Sequence, residues 1–299
     1  MEIIDGRKLR EEILSEIKSE VSALPFVPIF CDVLVGDDPA SLQYVKMKAK
    51  TAESVGIKFH NANFSASITT DELCGQIKLL NKIKNMCGII VQLPLPSHLD
   101  RQAVLDAIDP HLDVDCLGTI ASEKFYDNQN CRNFLLGFPT ALACMVVLDT
   151  LDLNLTEKNI VVLGQGLLVG KPVAALLKFR GLKPVLITRQ TLKKEELIKD
   201  ADIIISGIGH GKYITGDMIK KGAVLIDAGT SEDLKRPAEG LPASGGAKGD
   251  QGRARIIGDV DLESVKEVAS YVSPVPGGVG PVTVAMLLKN VLQVAKNLK

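Results

Sequence analysis

The sequence predicts an α/β protein with two α/β domains and a cleft between them, the second domain a Rossmann-like, doubly wound parallel sheet. Strand and helix patterns alternate through most of the 299 residues, as expected where parallel strands are joined by helical crossovers. A glycine turn at Gly164, Gly166 and Gly170 stands between an apolar strand and a helix, the order a dinucleotide-binding unit requires. The third sign is the segment 274–281, Pro-Val-Pro-Gly-Gly-Val-Gly-Pro, directly ahead of an apolar helical run. The length allows two cores of ordinary size.

The elements follow in order. An opening helix from Gly6 to about Leu24 leads to strand Pro28–Val35. Asp38 is placed as N-cap and Pro39 at the first position of a helix running to about Val55, the usual chemistry of a helix start. Strand Lys58–Phe64, helix Asp71–Lys84, strand Gly88–Leu93 and helix Asp100–Ile108 come next, and a loop from Asp109 to Asp115 closes this half. After an irregular stretch, Lys124 to Phe138, helix Thr140–Asp149 connects to strand Asn159–Leu163, the glycine turn and helix Val169–Arg180. Strand Pro184–Thr188, helix Lys194–Lys199 and strands Asp202–Ser206 and Ala223–Asp227 continue the series. Residues 235–254, rich in Gly, Ala, Pro and charge, read as an exposed excursion. A short strand near Ile256, helix Asp261–Val268 and a terminal helix from Pro281 to Leu298 end the chain. The terminal helix is expected to return to the first domain, giving residues 1–139 plus 275–299 as one domain and 140–274 as the other. No repeat of solenoid period is present.

Composition narrows the function. Hydrophobic content of 46% and charged content of 24% are those of a soluble globular protein. A net charge of −1 without a run of like charge gives no basic face for nucleic acid. No apolar run approaches the roughly 20 residues that span a bilayer, and Met1–Gly6 lacks signal-peptide order, so a cytoplasmic location is expected. The six cysteines form no Cys-x-x-Cys pair; reduced core thiols are expected, and no metal site.

In the glycine turn, Gly164 and Gly166 permit a tight bend and close approach of a pyrophosphate, with Gln165 between them. Gly170, after Val169, lets the helix pack on the strand, and the helix N-terminus attracts anionic oxygens. The spacing Gly-x-Gly-x-x-x-Gly departs from the usual fingerprint, so a close-packed turn without a ligand is the competing reading. The following strand ends Thr188-Arg189-Gln190-Thr191, with no carboxylate to accept ribose hydroxyls. Arg189 suits a 2′-phosphate, which favours NADP and leaves NAD possible; an exposed, unpartnered arginine is the alternative. Asp227-Ala228-Gly229-Thr230 ends a later strand, and Thr230 joins the same crevice wall.

Tyr44 and Lys48 share one helical face; a solvated lysine beside a half-buried tyrosine is the bland alternative. Gln92 is a lone amide after the apolar run Gly88–Val91 and just before Leu93-Pro94. A buried amide needs several partners, whereas one at a strand end can address a ligand. Asp113 and Asp115 are loop carboxylates that equally serve as caps. In the Gly/Pro segment, Gly277, Gly278, Val279 and Pro281 form either a tight turn or a side-chain-poor, ligand-facing loop.

These residues resemble one family along essentially the whole chain. Val35-Gly36-Asp37-Asp38-Pro39-Ala40-Ser41 with Tyr44 and Lys48, Val91-Gln92-Leu93-Pro94-Leu95-Pro96, and Asp113-Val114-Asp115 carry the first part. Val169-Gly170 with Pro172, Gly258-Asp259-Val260, and Pro274 to Pro281 with Thr283 carry the second. Together they resemble the bifunctional methylenetetrahydrofolate dehydrogenase/cyclohydrolase family of bacterial type. The resemblance implies NADP-dependent oxidation of 5,10-methylenetetrahydrofolate, then hydrolysis of the methenyl cation to 10-formyltetrahydrofolate, in the one-carbon supply to purines. It also implies a homodimer formed through the cofactor domain. Tyr44 would border the folate rings, Lys48 act as general acid/base of the hydrolysis, Gln92 hold that lysine, and Asp115 bond the pterin edge. Leu93, Pro94, Gly277, Gly278, Val279 and Pro281 would line the folate slot.

The chemistry agrees with those roles. Hydride leaves carbon easily when nitrogen lone pairs stabilise the cation, so oxidation needs orientation more than a base. Hydrolysis needs proton transfer, and a free lysine, with pKa about 10.4, is a poor base until desolvation or a nearby cation retunes it. Some blocks depart from the family: Leu112 and Cys116 flank Asp113-Val114-Asp115 where relatives carry Lys and Gly. The linker reads Leu136-Gly137-Phe138-Pro139-Thr140-Ala141, and the cofactor turn reads Gly164-Gln165-Gly166 in place of Gly-Arg-Ser. Arg189 stands ready to replace that arginine. Two rival readings are a two-domain NADP dehydrogenase of shikimate or amino-acid type, and a folate- or nucleotide-binding relative without turnover.

Overall fold

The computed structural model describes residues 1–127, 136–237 and 254–298. The chain divides into two compact units, Met1–Lys8 with Ala143–Val282, and Leu9–Leu142 with Thr283–Lys299. In chain order the strands are β1 (Glu2–Ile3), β2 (Ile29–Val35), β3 (Lys58–Phe64), β4 (Met86–Val91), β5 (Ile160–Leu163) and β6 (Val185–Ile187). Then come β7 (Ile203–Ser206), β8 (Val224–Asp227), β9 (Ser231–Pro237), β10 (Ala254–Ile257) and β11 (Tyr271–Ser273). The helices are α1 (Gly6–Ser22), α2 (Pro39–Ser54), α3 (Thr70–Leu80), α4 (Arg101–Asp106), α5 (Thr119–Asp127) and α6 (Pro139–Asp149). They continue with α7 (Gly170–Phe179), α8 (Lys194–Lys199), α9 (Leu262–Val265) and α10 (Val279–Asn297).

The unit Leu9–Leu142 with Thr283–Lys299 contains a parallel sheet in the order β3-β2-β4. As the central strand, β2 is buried on both faces, which is why Ile29–Val35 is nearly continuous apolar sequence. Phe30, Cys31 and Val33 are fully buried, and burying a large apolar side chain contributes about 1.5–3 kcal/mol. The one acid in this strand, Asp32, is equally buried. At the N-terminus of α2, Asp38 accepts from the Ser41 amide at 2.8 Å and Pro39 occupies the first turn. The buried face of α2 is Ser41, Val45, Lys48, Thr51 and Ala52, so Lys48 is carried inward.

Gly88 on β4 determines where the loop after α4 runs. A Cβ there would lie 2.9 Å from side-chain carbons of Val114 and of Val291 on α10. The missing side chain lets residues 112–114 pair beside β4: Ile89 donates to the Leu112 carbonyl at 2.7 Å and bridges Asp113. Asn290 of α10 then clamps the loop, donating to the carbonyls of Val114 (2.8 Å) and Gly137 (2.7 Å).

The other unit carries a six-stranded, wholly parallel sheet in the order β1-β11-β8-β7-β5-β6. The chain leaves β5 for β6 on one side and returns to β7 on the other. The carboxyl ends of β5 and β7 therefore flank a topological switch point, where doubly wound sheets bind ligands. Its core includes Val161, Leu163, Ile187, Ile204, Leu225 and Val272.

Several elements differ from expectation. Part of the stretch expected to be irregular is helix α5, with Phe125 buried between neighbours, edge-on to Phe138 at 5.0 Å; its polar letters hide a two-residue apolar face. Residues 128–135 of that stretch lie outside the described residues. Tyr271–Ser273, too short to show a period, forms β11 and is paired by both β8 and β1. The predicted helix Asp261–Val268 shortens to α9. The predicted excursion 235–254 begins and ends as the antiparallel pair β9–β10, and 238–253 lie outside the described residues. Cys31, Cys74, Cys87, Cys116 and Cys144 are free thiols. Among the described residues no helix is long and apolar enough to cross a membrane, and no cluster of His, Cys, Asp or Glu could hold a metal.

Candidate active site

Three of the expected residues meet around one amine. Lys48 is 2% exposed, and its Nζ donates to Gln92 Oε1 at 2.8 Å. The same nitrogen sits 4.8 Å from the centroid of the Tyr44 ring, within cation–π reach. Gln92 is fixed at the end of β4 by its own amide, which donates to the Val33 carbonyl at 2.8 Å. Its side-chain Nε2 donates to the Leu93 carbonyl at 3.0 Å, so the Oε1 is left for the lysine. Leu93 is half-buried, Pro94 exposed, and Tyr44 39% exposed, so the group borders open space.

The residue that sequence reasoning missed is Asp32. Its Oδ2 lies 2.6 Å from Lys48 Nζ, and the carboxylate is fully buried. Burial pushes the Asp32 carboxyl up, and the Lys48 ammonium pulls it back. The signal was present: a lone acid inside Ile-Phe-Cys-Asp-Val-Leu-Val cannot be buried without a partner.

The loop acids complete the electrostatics. Asp113 is buried and pushed up to about 6 by that burial, against hydrogen bonds from Gly118 (2.7 Å) and Asp115 (3.3 Å) amides. Asp115 is pushed up to about 7, chiefly by desolvation; Lys48 lowers it, while Asp113 and Asp32 raise it. Although 39% of Tyr44 is exposed, desolvation at its hydroxyl and the charges of Asp115 and Asp32 raise it to about 12. Asp113 and Asp115, raised to about 6 and about 7, thus lie in the range that general acid/base work uses.

The second set of residues lies at the switch point of the six-stranded sheet. Gly164 has φ +85°, a conformation that favours glycine. A Cβ on Gly170 would fall 2.0 Å from the Gly164 carbonyl oxygen, so only glycine lets α7 close onto the turn. A Cβ on Gly166 would meet nothing within 4 Å, leaving open space against backbone. Gln165 donates back to the Gly164 carbonyl at 2.7 Å, Val169 precedes α7, and the first turn of α7 has no acidic residue. A glycine cradle ahead of an unopposed helix N-terminus fits a dinucleotide pyrophosphate. Arg189 after β6 and Thr230 after β8 are exposed.

The Gly277–Pro281 segment belongs to this same unit by its contacts. Gly277 accepts from the Gly6 amide at 3.0 Å and Gly278 donates to the Pro274 carbonyl at 2.7 Å. Gly278 and Val279 are buried, and Pro281 is half-buried.

A Rossmann-type unit and a second α/β unit with a buried lysine among acids define a two-domain, nucleotide-dependent enzyme. Known proteins narrow the class. Residues 4–115 match the catalytic domain of the tetrahydrofolate dehydrogenase/cyclohydrolase family, and 139–299 match its NAD(P)-binding domain. The bifunctional protein FolD of Nautilia profundicola is 38% identical over 99% of this chain and 98% of its own. That of Nitratiruptor is 39% identical over 100% and 99%. Among solved structures, the bifunctional FolD methylenetetrahydrofolate dehydrogenase/cyclohydrolase of Campylobacter jejuni is 33% identical, with TM-score 0.87, covering 99% of this chain and 98% of that one. The Trypanosoma brucei enzyme, complexed with NADP cofactor and inhibitor, is also 33% identical, with TM-score 0.88 and coverage of 99% and 97%. The chain belongs to the tetrahydrofolate dehydrogenase/cyclohydrolase family.

Proposed function

We propose that the protein oxidises 5,10-methylenetetrahydrofolate with NADP and hydrolyses the methenyl product to 10-formyltetrahydrofolate, supplying one-carbon units to purine synthesis. The observation that carries this reading is Lys48, buried yet hydrogen-bonded to Gln92 and faced by Tyr44, inside the segment matching the family's catalytic domain. NADP, when bound, supplies the acceptor for the hydride. The glycine turn from Gly164 to Gly170 receives its pyrophosphate, and Arg189 its 2′-phosphate.

In the folate unit Tyr44 borders the ring system, Asp115 bonds the pterin edge, and Leu93 and Pro94 shape the site. Gly277, Gly278, Val279 and Pro281 are the proposed contribution of the Gly/Pro segment. In the hydrolysis, both protons of the attacking water leave its oxygen. One returns to N5 as the C–N5 bond breaks, and one is released. Lys48 relays that proton, and Gln92 fixes where its amine points. Such a group contributes a factor of about 10²–10⁴.

The reading includes a homodimer and a cytoplasmic location; the five free thiols among the described residues suit a reducing compartment, and light scattering tests the dimer. The activity is tested by following methenyl absorbance with methylenetetrahydrofolate and either NADP or NAD. Absorbance should rise with NADP and then decay as formyl product forms. Binding of NADP without any absorbance change would defeat the proposal.

A further inference from the structure

We propose that Asp32 is a positioning residue for the hydrolytic step, its buried carboxylate holding the Lys48 amine toward Gln92 and balancing its charge. This rests on the reading that Lys48 moves the proton. The geometry is unusual for a scaffold acid. Asp32 sits in the middle of the central strand, fully buried, 2.6 Å from Lys48 Nζ. Neither of its oxygens receives a hydrogen bond from any other donor among the described residues. An ionised carboxylate has about four acceptor sites, and a buried one kept for stability is normally saturated by amides and hydroxyls. Here the amine is the one group that answers it. An ion pair in such a place is poor stabilisation compared with an apolar residue of similar volume, and both neighbours, Cys31 and Val33, pack as apolar core.

Two consequences follow for chemistry. The pair and the Gln92 bond approach Nζ from different elements, so the amine has a fixed direction rather than a free rotor. The methenyl substrate is a cation, and an uncompensated buried ammonium would repel it; the Asp32 carboxylate cancels that charge. The groups that interact with Lys48 are Tyr44 on its own helix, Asp32 on β2, Gln92 at the end of β4, and the carboxyl of Asp115 on the loop. Of these, Asp32 is the only acid with a direct ion pair to the amine among the described residues. A carboxylate beside an amine favours its charged form, so loss of Asp32 reaches the pH profile of the hydrolysis that the amine serves.

The test compares the parent with Asp32→Asn and Asp32→Val. The pH dependence of kcat and of KM is measured for methenyltetrahydrofolate and for methylenetetrahydrofolate, together with the NMR spectrum of 13Cε-lysine-labelled protein. The Lys48 resonance is identified by its loss in Lys48→Met. In both Asp32 variants, the pH profile of kcat should shift by one pH unit or more, a tenfold change in proton concentration, and the Lys48 resonance should be displaced from its parent position. KM for the methenyl cation should rise several-fold more than KM for uncharged methylenetetrahydrofolate. A pH profile superimposable on the parent, or lowered equally at every pH, would overturn the proposal, as would failure of both variants to fold. If Lys48→Met itself keeps full hydrolysis, the functional reading of that lysine fails instead, which separates the two.

Discussion

In the six-stranded unit, Asp259 is fully buried, yet its two oxygens accept from Ser206 Oγ at 2.7 Å and from the amides of Ile208 (2.9 Å) and His210 (2.8 Å). Asp227 beside it is met by the Gly229 and Val260 amides at 2.9 and 2.8 Å. Glycines make this possible: a Cβ on Gly229 or Gly258 would fall 2.1 Å from one of those carboxylates. In the three-stranded unit, Asp32 is just as deeply buried and has only a side-chain amine. Acids met by backbone amides and a hydroxyl from other segments tie those segments together. On the proposed reading, Asp32, whose one partner is a movable side chain, prepares the chemistry of that side chain. The difference between the two groups lies in the donors, not in burial.

Perturbing each group should therefore move different observables. The largest effect is expected from Lys48→Met, which should lower hydrolysis of the methenyl compound by a factor of about 10²–10⁴, read as the decay of its absorbance. It should also cost about 3–5 kcal/mol in stability, because a buried acid is left alone. Adding Asp32→Val should recover the stability and none of the activity, whereas recovery of both would mean the lysine is structural. Next, Asp259→Ala orphans a hydroxyl and two amides, each worth about 1–3 kcal/mol. Thermal unfolding should show a loss of several kcal/mol, with the pH dependence of surviving hydrolysis unchanged in position.

A smaller effect, on the order of tenfold, or about 1.4 kcal/mol, is expected for Arg189→Ser. The ratio of kcat/KM for NADP over NAD should fall; an unaltered ratio would move 2′-phosphate recognition elsewhere. The smallest expected change is in stability with Asp115→Asn. Because burial raises Asp115 to about 7 in the folded state, the folded chain holds that proton longer than the unfolded chain. Its contribution is therefore complete below the unfolded value near 3.9 and is lost as pH rises through about 7. Asparagine removes that loss, so the variant should be more stable than the parent at pH 8, by about 0.5–2 kcal/mol, and no more stable at pH 4. Denaturant unfolding at both pH values checks the sign.

Much of the site was legible. Helical spacing put Tyr44 and Lys48 on one face, isolation at the end of an apolar strand marked Gln92 as able to address a ligand, and only the family resemblance joined Gln92 to that lysine. Asp32 sends the same signal as Gln92, an unexplained polar residue in an apolar run, but its partner lies on the next helix. Only the packing of α2 on β2 joins them. α5 escaped notice because a short helix with two buried residues has almost no period. β11 escaped because three residues cannot show alternation, and neighbouring strands recruit it.

What the residues determined alone was the order of elements, the capped start of α2, the glycine turn before α7 and the character of each half. These depend on dihedral preference and periodic burial, which act over a few neighbouring positions. What only the tertiary structure decided was which acid answers Lys48 and which acids are saturated by backbone. It also decided the path of Asp113–Asp115 beside a strand glycine. Those outcomes depend on desolvation and on distances between elements far apart in the chain, and no local pattern encodes either.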